Sequence, residues 1–201
     1  MAKLYFRYGA MGCGKSALLL QVAYNYEERG MKVVLLKPGA DKKGDDYLVS
    51  RIGLKRKVDY TVPEEAKIEE ILKDRLLQLD CILVDEAQFL STEQVDDLMK
   101  IVIKYNIPVI CYGLRADFQT KAFPGSIRLF ELAHSLEEIK TICQCGKKAM
   151  FNSRKVKGKT VFEGSQVAID GFDEVTYEAL CPKCYFEKKE QYEKGQKSVK
   201  Q

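Results

Sequence analysis

The sequence holds a single histidine, His134, among 201 residues, which excludes any site that needs two imidazoles from these residues of one chain. No apolar run approaches the roughly 20 residues that a bilayer-spanning helix requires, so no such segment is expected. The opening MAKLYFRYGA lacks the apolar core of a secretory signal, and the expected location is cytosolic. Strong charge of either sign is also missing. A formal net charge of +4 permits a nucleic-acid partner without arguing for one. There is no internal repeat, and no low-complexity segment other than a Lys-rich tail from Lys188 to Lys200, read as a solvated, frayed terminus. What remains is an ordinary globular composition, 46% hydrophobic and 31% charged, in a chain long enough for one or two domains. In a reducing compartment its seven cysteines are metal ligands or buried thiols rather than disulfides.

Apolar runs and helical periodicity alternate along the first 140 residues. KLYFRY (3–8), KVVLLK (Lys32–Lys37), CILV (Cys81–Val84) and IPVICY (107–112) read as strands, and Leu136–Ile142 as a last one. Ser16–Arg29, Pro63–Leu79 and a segment from the capping box Ser91-Thr92-Glu93-Gln94 to about Tyr105 read as helices. Residues 39–61 are polar without a clear period and are expected to be a loop with a short element. The alternation predicts an α/β fold, a parallel sheet with helices on both faces, and Gly9-x-x-x-x-Gly14-Lys15-Ser16 makes it a P-loop (RecA-like) one. After residue 140 the character changes to polar segments, four cysteines and short β-like runs. The expected domains are 1–140 for nucleotide binding, 141–187 as a zinc-ribbon or lasso lid, and 188–201 as a basic tail.

Gly9-x-x-x-x-Gly14-Lys15-Ser16 follows the first strand and opens the first helix. That context lets a glycine-rich backbone wrap phosphate oxygens, with N–H groups pointing inward and the helix N-terminus adding partial positive charge. Lys15 is expected on the β- and γ-phosphates of ATP and Ser16 on Mg²⁺. Asp85 ends an apolar strand in ILVDEAQF, the Walker B position of an Asp that helps hold Mg²⁺. Glu86 comes next, placed to take a proton from an attacking hydroxyl or water. These residues do not separate hydrolysis from transfer. With Glu86 in the base position, His134 is assigned a structural role, and Tyr24 and Tyr26 a place in a core or interface.

Cys143-Gln-Cys145 and Cys181-Pro-Lys-Cys184 form two close pairs of thiols, a set that suits tetrahedral structural Zn²⁺. Thioredoxin-like redox chemistry fits poorly, because two pairs are present and no βαβ unit follows. Zinc would pin both ends of residues 146–180, a polar stretch suited to a substrate lid. Cys81 and Cys111 read as buried small hydrophobes, and Cys13, inside the phosphate loop, as open to oxidation.

Together the loop, DEAQF and the four-cysteine module resemble the thymidine kinases of the cellular type II family, over nearly the whole chain. The family's loop runs close to G-P-M-x-x-G-K-S/T; here Ala10 replaces Pro and Met11 is kept, alongside Gly9, Gly12, Gly14, Lys15 and Ser16. The resemblance implies that Glu86 is the base on the deoxyribose 5′-hydroxyl and that Phe89 packs near the thymine. It implies base-pocket roles for Leu114 and Phe118, within Gly113-Leu114-Arg115-Ala116-Asp117-Phe118, and for Met11 as a pocket wall. Asp41 and Lys43 match a loop on the ATP side, with Lys43 where Arg is common. In the lid, Tyr177 matches the aromatic that covers the base and Asn152 a Thr near the thymine. Ile169-Asp170-Gly171 matches an Ile-Gly-Gly turn whose backbone contacts the base. Arg115 is a candidate electrostatic partner of the transferring group. The first cysteine pair is C-x-C where better-known members have C-x-x-C. The family further implies a homotetramer, inhibition by dTTP, and ATP and thymidine as its small-molecule partners, with no nucleic acid and no membrane.

A kinase must exclude water while admitting a hydroxyl, and a zinc-anchored lid over a nucleoside serves that end. The rival expectation is a nucleic-acid-binding P-loop ATPase whose zinc ribbon grips a strand. The mixed charge of the ribbon (Glu163, Asp170, Asp173, Glu174, Glu178) counts against it.

Overall fold

The structure, a computed structural model, describes residues 1–39, 47–166 and 175–199. Contacts divide the chain into two compact units. The first comprises Met1–Tyr8, Gly14–Arg115 and Phe123–Ile139, and the second Gly9–Cys13, Ala116–Ala122 and Lys140–Gln201.

The first unit contains β1 (Leu4–Gly9), α1 (Lys15–Glu27), β2 (Val33–Pro38), β3 (Tyr47–Val49), β4 (Lys55–Lys57), β5 (Tyr60–Val62), α2 (Ile68–Leu72), β6 (Cys81–Val84), α3 (Thr92–Tyr105), β7 (Val109–Leu114), α4 (Pro124–Leu132) and β8 (Ser135–Glu138). Its main sheet has the order β5-β2-β6-β7-β1-β8. The β2–β5, β2–β6, β6–β7 and β1–β8 ladders are parallel. Successive residues of the inner strands point to opposite faces. Val34, Leu36, Ile82, Val84, Val109 and Cys111 pack with Val95, Leu98 and Ile101 of α3 and Leu129 of α4. Val33, Leu35, Cys81, Leu83, Ile110 and Tyr112 pack with Leu19, Leu20 and Ala23 of α1. Both faces of the parallel sheet are thus buried under helices, which is why its strands read as unbroken apolar runs. Cys81 and Cys111 are wholly buried, and burial pushes both thiols up, that of Cys81 to about 12.

Several element expectations need correction. Residues 39–61 are more than a loop with one short element: β3 and β4 form an antiparallel hairpin, and β5 joins the main sheet at its edge. The helix expected over Pro63–Leu79 shrinks to α2 and a single 3-10 turn at Leu76–Gln78. At its start Gln94 competes for the backbone: its Nε2 donates to the carbonyls of Pro63, Glu64 and Ala66, acceptors that a helix beginning at Pro63 would use. Gln94 also completes the expected capping box with Ser91 at the start of α3. The run Leu136–Ile142 is broken in two. Glu138 is the last residue in register with β1, the Ile139 N–H still donates to the Tyr8 carbonyl, and Thr141–Ile142 pair instead with Lys148–Ala149. His134 is structural: its Nδ1 accepts the Leu4 N–H at 3.1 Å. Tyr26 packs against the α1-side core, whereas Tyr24 is exposed.

Helix α4 was not foreseen, although Pro124 at its first turn is a start signal. It approaches the chain after β6 so closely that a Cβ on Gly125 would lie 2.6 Å from the Leu90 carbonyl oxygen and 2.7 Å from that of Ala87. Gly125→Ala is expected to destabilise the protein by about 1–3 kcal/mol, as overpacking does in well-filled cores. Urea unfolding midpoints would show it, and an unchanged midpoint would mean that the two segments separate without cost.

The second unit holds β9 (Thr141–Ile142), β10 (Lys148–Ala149), β11 (Phe151–Val156), β12 (Lys159–Val161), β13 (Val175–Leu180) and α5 (Pro182–Val199). β9 and β10 pair antiparallel, and β11 lies between β12 and β13 in a second antiparallel sheet. Ala149, Phe162, Leu180 and Tyr185 make a small core together with Cys143 and Cys181. Tyr185 is wholly buried, with Phe151 and Phe162 rings 5.1 and 5.3 Å away and its hydroxyl donating to the Phe118 carbonyl at 2.7 Å. The basic run from Lys188, expected to fray, instead continues α5 to Val199. At the start of that run, Glu178 of β13 accepts from Lys188, and from Lys155 as well. Against partial burial, these two ammonium groups hold its carboxyl below the usual range. No helix among the described residues is long and apolar enough to cross a membrane.

Candidate active site

In the first unit the chain enters α1 through Gly14, which sits at φ +90°, a left-handed conformation that favours glycine. The Gly14 carbonyl accepts the Leu18 N–H at 3.0 Å. No side chain caps the start of α1, and no acidic residue stands in its first turn. The helix thus brings no acidic side chain of its own to its partial positive end, which suits an anion-binding helix start. Lys15 is buried. Ser16 Oγ lies 3.3 Å from Asp85 Oδ2, so the hydroxyl and carboxylate expected on one divalent cation are adjacent.

Glu86 follows in a left-handed conformation, φ 47° and ψ 39°, uncommon for a residue other than glycine. Gln88 holds it there. Its Nε2 donates to Glu86 Oε2 at 2.6 Å, and its Oε1 accepts the Leu114 N–H at 3.0 Å. The Leu114 carbonyl in turn accepts from Ser126 Oγ at 2.6 Å. A half-buried carboxylate is thereby tied to the end of β7, one residue beyond the carboxylate that meets Ser16. Phe89, also half-buried, stacks edge-on against Phe123 at 5.5 Å.

In the second unit, Asn152 of β11 reaches two stretches of backbone. Its Oδ1 accepts the Met11 N–H at 2.7 Å, and its Nδ2 donates to the Ala116 carbonyl at 2.9 Å. Met11 precedes Gly12, whose φ is +75°. Phe118 is only 1% exposed, with the Arg154 guanidinium 3.7 Å above its ring centre. Tyr177 of β13 is half-buried and opposes Arg154 across the ladder.

The sulfurs of Cys143, Cys145, Cys181 and Cys184 all lie within 4.8 Å of one another. With Zn–S bonds of about 2.3 Å, tetrahedral ligands stand ~3.8 Å apart, so this donor set fits a closed zinc site. Burial opposes ionisation of Cys143, yet backbone N–H groups of Cys145 and Cys181 and neighbouring thiols draw it down to about 7. Cys184 is pushed up to about 12, chiefly by the adjacent Cys181 and Cys145 sulfurs. Four such sulfurs ionise together only around a cation.

The family model described as thymidine kinase matches residues 2–185. A thymidine kinase of Ruegeria pomeroyi is 45% identical over 91% of this chain and 93% of its own length. That of enterobacteria phage T4 is 48% identical over 91% and 95%. That of Shewanella oneidensis is 46% identical over 93% and 98%. The chain belongs to the thymidine kinase family. It is accordingly an enzyme, a phosphotransferase of the kinase class, and the sequence resemblance to that family holds.

Of the residues assigned from sequence, the structure groups Lys15, Ser16, Asp85, Glu86, Phe89 and Leu114 in the first unit. Gly9, Met11, Gly12, Phe118, Asn152, Tyr177 and the four cysteines fall in the second. Asp41, Lys43, Ile169 and Gly171 lie outside the described residues. Two residues were missed. Gln88 stood inside DEAQF and could have been found by asking what orients Glu86. Arg154 carried no local signal: it is one basic residue in a polar strand of a lysine-rich chain.

Proposed function

We propose that the chain transfers the γ-phosphoryl group of Mg-ATP to the 5′-hydroxyl of thymidine, and of 2′-deoxyuridine, in nucleotide salvage for DNA synthesis. The observation that carries this reading is the thymidine kinase family match over residues 2–185, and the anchored Glu86 carboxylate, one residue past an Asp85 that meets Ser16, supports a base in the site. In the first unit, Lys15 and the start of α1 hold the β- and γ-phosphates, while Ser16 and Asp85 hold Mg²⁺. Glu86 takes the proton as the 5′-oxygen bonds to the γ-phosphorus and the bond to the β-bridging oxygen breaks. Phe89 and Leu114 flank the nucleoside.

In the second unit, Met11, Asn152 and Tyr177 contribute to nucleoside recognition, and Phe118 backs them from the interior. Gly9, Gly12 and Gly14 let the loop backbone approach phosphate. Asp41 and Lys43 on the ATP side, and Ile169 and Gly171 on the base, are assigned by family resemblance alone. Zn²⁺ on Cys143, Cys145, Cys181 and Cys184 is structural. A cytosolic homotetramer inhibited by dTTP completes the reading.

Purified protein incubated with Mg-ATP and a panel of deoxynucleosides should form dTMP from thymidine, with slower turnover of 2′-deoxyuridine and none of the purine nucleosides. Absence of dTMP would sink the proposal. ATP hydrolysis stimulated by added DNA or RNA would favour the strand-binding ATPase instead.

A further inference from the structure

Arg154 is charged, 3% exposed, and belongs to no motif that defines the family resemblance. A guanidinium so buried is tolerated only when its donors are matched. Here each nitrogen has a separate acceptor. Nε donates to the Tyr177 hydroxyl at 2.9 Å, one terminal nitrogen to the Ser165 carbonyl at 2.8 Å, and the other to the Gln166 carbonyl at 3.0 Å. The cation also lies 3.7 Å from the Phe118 ring centre and 5.4 Å from that of Tyr177. Arg154 thus joins the loop after β7, the chain leaving β12 and the strand β13. Gln119 makes a parallel tie, donating through Nε2 to the Phe162 carbonyl at 3.1 Å and the Gly164 carbonyl at 3.3 Å.

We infer that Arg154 is a positioning residue that sets nucleoside affinity by pre-ordering Tyr177 and the chain at Ser165–Gln166. The inference rests on the assignment of Tyr177 to the nucleoside. A Tyr side chain has two torsions; holding its hydroxyl fixes the first, and the guanidinium 5.4 Å from the ring centre restricts rotation of the ring face about the second. Ordering done in the free protein is not charged against binding. The cost of losing it falls on binding, whereas the Glu86 chemistry in the other unit is untouched. A lysine cannot substitute. One ammonium on a flexible stem does not reach three acceptors in divergent directions, nor stack flat on Phe118.

Arg154→Lys is therefore expected to raise KM for thymidine roughly threefold to tenfold, with kcat and KM for ATP within about twofold. Tyr177→Phe should raise the same KM, and the double variant should do so by less than the product of the single effects, because both remove one hydrogen bond. Hydrogen exchange without nucleoside should be faster in Arg154→Lys at residues 162–166 and 175–177 and unchanged in β2, β6 and β7. The exchange measurement needs no activity. A wild type inert toward thymidine would defeat the functional proposal, while the exchange pattern still tests the tie. An unchanged thymidine KM, a fall in kcat at constant KM, fully multiplicative effects, or unaltered exchange at 162–166 and 175–177 would each overturn the inference. If Arg154→Lys does not accumulate folded, Tyr177→Phe carries both readouts: unaltered KM and unaltered exchange would count against it in the same way.

Discussion

Replacing Glu86 with Gln should lower kcat for thymidine phosphorylation by about 10²- to 10⁴-fold, the usual contribution of a positioned general base. KM for ATP should change little, because Lys15, Ser16 and Asp85 are untouched. The substitution is conservative in shape. A carboxamide oxygen at position 86 still accepts from Gln88 Nε2, so the left-handed backbone and its tie to Leu114 persist. What disappears is the basic charge that receives the proton. Glu86 is half-buried at the surface of its unit, so stability should move by no more than about 0.5 kcal/mol. Steady-state kinetics beside a melting curve would separate the two effects. An active variant would remove Glu86 from the base role and leave the family membership intact.

The second large effect is expected from Cys181→Ser. Bound zinc should fall from about one per chain to none, measurable by elemental analysis. Thymidine phosphorylation should drop by at least about 100-fold, because structural zinc contributes roughly 10–16 kcal/mol in small zinc-binding domains. Among the described residues the second unit has one small hydrophobic core. Its core is Ala149, Phe162, Leu180 and Tyr185 around two of the cysteines themselves, and small cores need such a staple. The first unit has two clusters of its own on either side of its sheet. Exchange protection should therefore vanish in β11 and β13 and survive in β2, β6 and β7. Retained protection in β11 and β13 after metal loss would refute the structural role.

The elements legible in the sequence were those set by neighbouring residues. The inner strands announced themselves because burial on both faces makes them continuously apolar. The start of α3 was readable because Ser91 and Gln94 satisfy each other within one turn. The reading failed where a distant partner decided the outcome. Pro63–Leu79 has helical spacing, but the amide of Gln94, some 30 residues on, claims its first carbonyls. The run through Leu136–Ile142 looks continuous, but its register with β1, 130 residues earlier, stops at Glu138. In the site, residue types at fixed spacing pointed to Lys15, Ser16, Asp85, Glu86 and the cysteines. Gln88 and Arg154 act only through what they touch, and no spacing rule exposes that.

Asn152 carries a lesson about which substitutions a position tolerates. It reads only backbone at both ends, an N–H at residue 11 and a carbonyl at residue 116. Side chains at those two positions can therefore drift without breaking the link, and Met11 is free to answer to other demands. The constraint falls wholly on residue 152, which must accept and donate at once. Asn does so with two atoms, and a threonine hydroxyl can do so with one oxygen. The two residues look unrelated by size and chemistry, yet they are interchangeable here in kind. Valine, threonine's near twin in shape, satisfies neither end, and aspartate satisfies only one.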